Sequence, residues 1–347
     1  MLILCIRFMF MIREYLKLAR SFNAALTGIS PVMGAIAIGE FDPVLLTLLF
    51  ITGFLGHTWG FVFNDIMDYR IDREEKELSD RPLISGTISI NRAKVFASSA
   101  LITALLLGFY ISYTNTSLYP SFIILVCSAI CVTIYDLISK KIPLTDIILA
   151  LSVFLLILYG ASVKTKSLDN VSLLAWIICL VGGVQVLFMN IVAGGLKDIE
   201  NDYRRGANTL AVKLGVRVIN KELHVSTTYR VIAYVIQLFN IGLVFLPFFI
   251  IPGFSDNHLL RFTQWVLLVS ISAMMLFFSY KLLSNQLFHR DTMRKYIGLH
   301  YYTNFALAPV LLMGVTPWAI IITILPALGF VLSNLTLHGT LLQPKTM

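Results

Sequence analysis

Apolar positions run through this 347-residue chain in long blocks, and polar positions collect between them. A membrane-crossing helix takes about 20 mostly apolar residues. Blocks of that kind occupy 23–40, 44–64, 92–112, 118–138, 144–163, 171–193, 226–251, 259–283 and 299–315. A further apolar run, 317–338, is long enough for a tenth span or a re-entrant pair. The pattern predicts an all-α polytopic membrane protein, with 1–347 as a single transmembrane domain and 1–10 as an extension.

Composition agrees with the pattern. Hydrophobic residues make up 57% of the chain and charged ones 13%, about half the charge of a soluble domain. The N-terminal run carries Arg7 and lacks a small-residue cleavage site, so it does not read as a signal peptide. Met9 or Met11 is a candidate start, and 11–20 an amphipathic leading helix. Cys127 and Cys131 share a helix face, but no histidine or further cysteine lies near them in sequence, which favours packing over metal binding.

The net charge of +8 follows topology and gives no nucleic-acid signal. With nine spans and an inner N-terminus, one side holds 23 of the 27 Lys and Arg residues. Lys164, Lys166 and Arg261 fall on the other side, and Lys345 lies in the C-terminal tail. The positive-inside rule makes the richer side cytoplasmic.

Two loops on that side, 65–91 and 194–225, are long and charged. Each opens at the end of an apolar helix with acids four residues apart, then runs through arginines to a glycine. Residues four apart lie one above the other on a helix. Asn64, Asp68 and Asp72 therefore form one stripe, and Asp198, Asp202 and Gly206 another. Four facing carboxylates repel one another unless a cation sits among them. All-oxygen ligands suit Mg²⁺ or Ca²⁺, and Mg²⁺ in particular combines a few carboxylates with phosphate oxygens and water. Arg73, Arg81, Lys197, Arg204 and Arg205 follow the acids, and Tyr135, Lys140 and Lys141 close the fourth span. Arg20 and Asn23 stand at the start of the first. Carboxylates together with Lys and Arg suggest a metal plus a diphosphate.

A solvated, topology-setting loop explains Asp65, Glu74, Glu75, Glu77 and Asp80 equally simply, and for these residues it is the preferred reading. Asp65 also points about 100° away from the stripe. The two spaced pairs at helix ends favour function instead. His57, two turns deeper than Asn64, suits a packed or helix-bonded role better than a cavity-lining one.

These residues resemble a known pattern. NDIMDYRID, 64–72, matches the N-D-x-x-D-x-x-x-D motif of the UbiA superfamily of intramembrane prenyltransferases. KDIENDYRRGANTLAVKLG, 197–215, resembles its second motif. RSFN is similar to its R-P-x-N element with Ser21 in place of proline, and YDLISK to its Y-x-x-x-K element with Lys140 one residue late. The resemblance covers about residues 13–315. It implies a nine-helix bundle around a central cavity, with Mg²⁺ and a prenyl diphosphate at the cytoplasmic mouth. Asn64, Asp68, Asp72, Asp198 and Asp202 would hold the metal, the four aspartates being catalytic. Arg20, Asn23, Asn64, Tyr135, Lys140 and Lys197 would contact diphosphate or acceptor.

The implied reaction moves a polyprenyl group to an aromatic quinone precursor or to a lipid. RSFN and the KDIE form of the second motif look like the archaeal ether-lipid branch, a geranylgeranylglyceryl-phosphate geranylgeranyltransferase. A membrane transporter also carries ionisable residues in a helical bundle, but usually near the midplane. The D-G-x-x-A-R stretch of alcohol phosphatidyltransferases is absent.

Overall fold

The computed structural model describes residues 2–75, 78–115, 118–139 and 141–341, with side chains from residue 7 onward. Helices dominate it in chain order: α1 (Leu2–Leu18), α2 (Ser21–Ala37), α3 (Pro43–Asp72), α4 (Ile90–Thr114), α5 (Ile123–Ile138), α6 (Asp146–Ser162) and α7 (Leu173–Phe188). After them come α8 (Gly195–Arg205), α9 (Leu210–Lys213), α10 (Thr227–Phe245), α11 (Pro247–Ile250), α12 (His258–Leu283), α13 (Arg290–Leu312) and α14 (Ile320–His338). A small antiparallel hairpin, β1 (Arg217–Ile219) and β2 (Glu222–His224), interrupts the second charged loop. Its turn residues Asn220 and Lys221 both take positive φ, as a type I′ hairpin turn requires.

Seven helical stretches among the described residues are long and apolar enough to cross a membrane. They include 317–338, which forms one helical stretch and no re-entrant pair. Helices α2 and α6, at 17 residues each, are shorter, and α13 begins in a charged segment. The lengths alone therefore do not yield the expected count of nine. The chain is a multi-pass, all-α membrane protein with an additional apolar helix after α13.

Small residues set the closest packing. A Cβ on Gly160 would overlap the Pro31 carbonyl, and one on Gly34 the Ile157 carbonyl, so α2 and α6 touch backbone to backbone. Membrane bundles use this device because lipid supplies no hydrophobic drive between helices. Polar side chains join α7, α10 and α13: Gln185 Nε2 donates to the Asn304 carbonyl (2.7 Å), and Asn240 Nδ2 donates to Asn304 Oδ1 (3.1 Å).

Each charged loop rests on its own apolar cluster. Under the first, Leu18, Trp59, Val62, Ile66, Leu83 and Ile88 pack together. Under the second, Phe188, Leu196, Ile199, Val216, Tyr229 and Met293 do so. A π turn, Met189–Gly194, joins α7 to α8. The π geometry frees main-chain carbonyls, and the buried Tyr229 hydroxyl donates to one of them, that of Ile191 (2.6 Å). The two acidic helix ends are thus fixed from below before any ligand arrives.

Candidate active site

Two cavities meet at the ends of these helices. The outer one, a charged mouth of about 710 Å³, is lined by Arg20, Asn64, Asp68, Asp72, Tyr135, Lys197, Asp198 and Asp202. Both stripes therefore face one space. The inner one, of about 370 Å³, is mostly apolar and includes Asn23, Trp59, Phe61, Tyr301, Phe305 and Phe330. Arg20, Asn64, Tyr135, Asn190, Gly194 and Lys197 line both and form the throat between them. Of the residues singled out by motif, Asn23 lies only on the inner side, and Lys140 lies outside the described residues.

Helix chemistry delivers these side chains. α3 runs unbroken for 30 residues, which carries Asn64, Asp68 and Asp72 beyond the apolar stretch on one face. α8 ends at Gly206, whose left-handed conformation (φ 65°, ψ 33°) suits glycine and caps the helix behind Asp202. Arg20 also takes left-handed backbone angles (φ 47°, ψ 47°) between α1 and α2. A non-glycine residue held there costs energy, and such positions gather at functional sites.

The loop reading of Asp65 does not hold. Asp65 is buried, accepts from the Arg20 guanidinium at 2.6 Å and lies 3.6 Å from Arg81. Arg81 also pairs with the buried Asp72. Arg20 stacks over the Phe61 ring at 5.0 Å. Burial lowers the affinity of that guanidinium for its proton, but Asp65, with Asp72 and Asp198 behind it, raises it further, so its pKa stands above the ordinary arginine value.

Glu75 is no free loop residue either. It accepts from Asn201 Nδ2 (2.9 Å) and pairs with Arg205 (3.3 Å), clasping the first loop to the second. Glu74 is largely exposed and Asp80 exposed, as the loop reading has it. Arg70, Arg81, Arg205 and Arg290 line the mouth, whereas Arg73, Lys141 and Arg204 do not. His57 is packed, with one ring nitrogen on Thr27 Oγ1 (2.9 Å) and the other on the Arg20 carbonyl (3.3 Å), and its side chain also borders the inner cavity. The described cysteines are free and unlinked.

Among the described residues, no three His, Cys, Asp or Glu side chains stand close enough to chelate an ion by themselves. The donor set still fits Mg²⁺. That ion keeps much of its water and takes one or two carboxylates together with phosphate oxygens, needing no all-protein cage. Without the ion, Arg81 on Asp72 relieves part of the repulsion between acids.

Sequence reasoning missed Asp136, Asp146, Asn190 and Asn201. Asp136 had a signal, since a carboxylate inside an apolar helix points to function by default. Asn190 had none, because the π turn that aims it is not visible as a sequence pattern.

A profile of the UbiA prenyltransferase family matches residues 24–286. The chain belongs to the UbiA prenyltransferase family. Curated relatives include digeranylgeranylglyceryl phosphate synthase of Thermococcus sibiricus, 27% identical over 69% of this chain and 82% of the relative. The protein of that name from Sulfurisphaera tokodaii is 28% identical over 72% of this chain and 82% of its own length. A solved digeranylgeranylglyceryl phosphate synthase superposes with TM-score 0.60 at 23% identity, covering 89% of this chain and 99% of that one. An Archaeoglobus fulgidus UbiA homologue bound to GPP and Mg²⁺ superposes equally, TM-score 0.60, at 16% identity, covering 85% and 99%. UbiA membership makes the chain a membrane prenyltransferase, not the transporter that buried charge alone left open.

Proposed function

We propose that the chain transfers a geranylgeranyl group from its diphosphate to the hydroxyl of a geranylgeranylglyceryl phosphate lipid. In this reading residues 1–347 form one transmembrane prenyltransferase domain whose mouth faces the cytoplasm. The observation that carries it is the throat: a mouth of carboxylates and guanidiniums continuous with an apolar cavity, joined through Arg20, Asn64, Tyr135 and Lys197. A prenyl diphosphate has that same division, a highly charged head on an apolar tail. The mouth's concentration of Lys and Arg on the richer side supports the orientation.

Asn64, Asp68, Asp72, Asp198 and Asp202 would hold Mg²⁺. When bound, Mg²⁺ supplies positive charge to the leaving diphosphate. Arg20 and Lys197 at the throat would add N–H donors to the same oxygens, where charge grows as the allylic C–O bond breaks. Tyr135, with the apolar lining behind it, would keep water from the prenyl carbon. Asn23 would face the acceptor side, and Lys140 would complete the diphosphate contacts.

The lipid acceptor is favoured over an aromatic one by the similarity to digeranylgeranylglyceryl phosphate synthases and by the RSFN and KDIE elements. The deciding experiment incubates purified protein and Mg²⁺ with labelled geranylgeranyl diphosphate and a panel of geranylgeranylglyceryl phosphate, 4-hydroxybenzoate and a naphthoate. Label should enter the lipid product. Label entering only an aromatic product would overturn the lipid assignment.

A further inference from the structure

In the proposed reaction the prenyl carbon and the incoming acceptor meet at the throat of the inner cavity, and the lining of that cavity offers few hydrogen-bond acceptors. Arg20 and Lys197 only donate. His57 has both ring nitrogens committed, to Thr27 and to the Arg20 carbonyl. The one carboxylate among the described residues of this lining is Asp136, at the inner end of α5 beside Tyr135.

Asp136 is 7% exposed. Its Oδ1 accepts from Asn64 Nδ2 at 3.2 Å, while its Oδ2 is buried without a hydrogen-bond partner. Buried carboxylate oxygens are nearly always hydrogen-bonded, because leaving one bare forfeits its hydration for nothing. A bare oxygen held in a substrate cavity is a vacancy for a donor on the substrate. We propose that Asp136 is an acceptor-binding residue: its Oδ2 receives the hydrogen bond of the acceptor hydroxyl and aims that oxygen at the prenyl carbon in the throat. Asn64 links this group to the mouth. Its amide nitrogen is committed to Asp136, which leaves its carbonyl oxygen for a ligand among the aspartates. Asn23 Oδ1 is a second unpartnered acceptor on the same lining. Asp136 is joined through Asn64 to the mouth, where the diphosphate head would sit, so it takes the primary contact.

The inference rests on the hydroxyl acceptor proposed above. Its test uses the full-length protein with Asp136→Asn and Asp136→Ser. Asn keeps an oxygen for Asn64 but presents N–H where Oδ2 stood; Ser removes the carboxylate altogether. Equilibrium binding of geranylgeranylglyceryl phosphate, with no donor or Mg²⁺ present, should weaken about 3–10-fold in both variants, as loss of a hydrogen bond does. Acceptor kcat/KM should fall at least as far, while the donor KM and the Mg²⁺ half-saturation stay within about twofold. Acceptor binding equal to that of the parent protein in folded variants overturns the inference. So does a parallel loss in donor and Mg²⁺ response, because Asp136 would then act only through Asn64. If the parent protein prenylates an aromatic phenol and not the lipid, the lipid reading fails. The Asp136 comparison is then read with that phenol.

Discussion

Replacing Asp65 by Asn should separate scaffold from chemistry within one helix. Asp65 sits between two guanidiniums, 2.6 Å from Arg20 and 3.6 Å from Arg81, with its side chain 8% and that of Arg20 13% exposed. Removing one partner of a buried ion pair costs about 3–5 kcal/mol, mostly because the other charge is left behind. Both guanidiniums border the open mouth, where water can take over part of the lost contact. We therefore expect a loss of about 2–3 kcal/mol, at or below the low end of that range. Chemical or thermal unfolding in detergent, run as a cycle with Arg20→Gln and the double variant, measures it. The coupling energy should reach about 1–2 kcal/mol. The Mg²⁺ half-saturation of Asp65→Asn should stay near that of the parent protein, since this carboxylate does not line the mouth that Asp68, Asp72, Asp198 and Asp202 share. Stability within about 0.5 kcal/mol of the parent, or a large shift in Mg²⁺ dependence, refutes the reasoning.

Two further outcomes follow from packing and charge placement. Gly160→Ala drives a Cβ into the Pro31 carbonyl, a backbone atom that cannot rotate aside; overpacking of this kind should cost about 1–3 kcal/mol or more, read as a lowered unfolding midpoint, whereas Gly242→Ala, with open space at its Cβ, should be near neutral. Cysteines placed at the exposed Arg204 and Lys166 should react with an impermeant thiol reagent from opposite faces of sealed vesicles, Arg204 from the cytoplasmic one; reaction of both from one face contradicts the topology.

The parts of the site that are periodic along the chain are legible in the sequence alone. Asp68 and Asp72 on one helix, and Asp198 and Asp202 on another, follow from a four-residue repeat, and their shared cavity from the matching format of two loops on one side. What could not be read depends on which strangers meet in space. Asp65 looked like loop charge because nothing local announces that Arg20, 45 residues earlier, folds back onto it. Glu75 is 126 residues from Asn201, which it binds. Asp136 lay in plain view in YDLISKK, but its meaning comes from Asn64, 72 residues away, and from the oxygen that Asn64 leaves bare. Span lengths blurred for a different reason: α2 and α6, at 17 residues each, stand at the short end of what a span needs, and α13 opens in the charged segment that brings Arg290 to the mouth.

The account stands on two aspartate pairs acting as one magnesium and diphosphate unit. Turnover measured against Mg²⁺ concentration for Asp68→Asn, Asp202→Asn and the double variant tests that directly. Each single change removes one charge from the shared cavity while keeping side-chain size. Each should lower turnover about 10²-fold or more, as loss of a preorganised charge stabiliser does. Because both residues serve the same ligands, the double variant should be only slightly worse than either single one. Full turnover in both single variants with unchanged Mg²⁺ dependence would contradict the account.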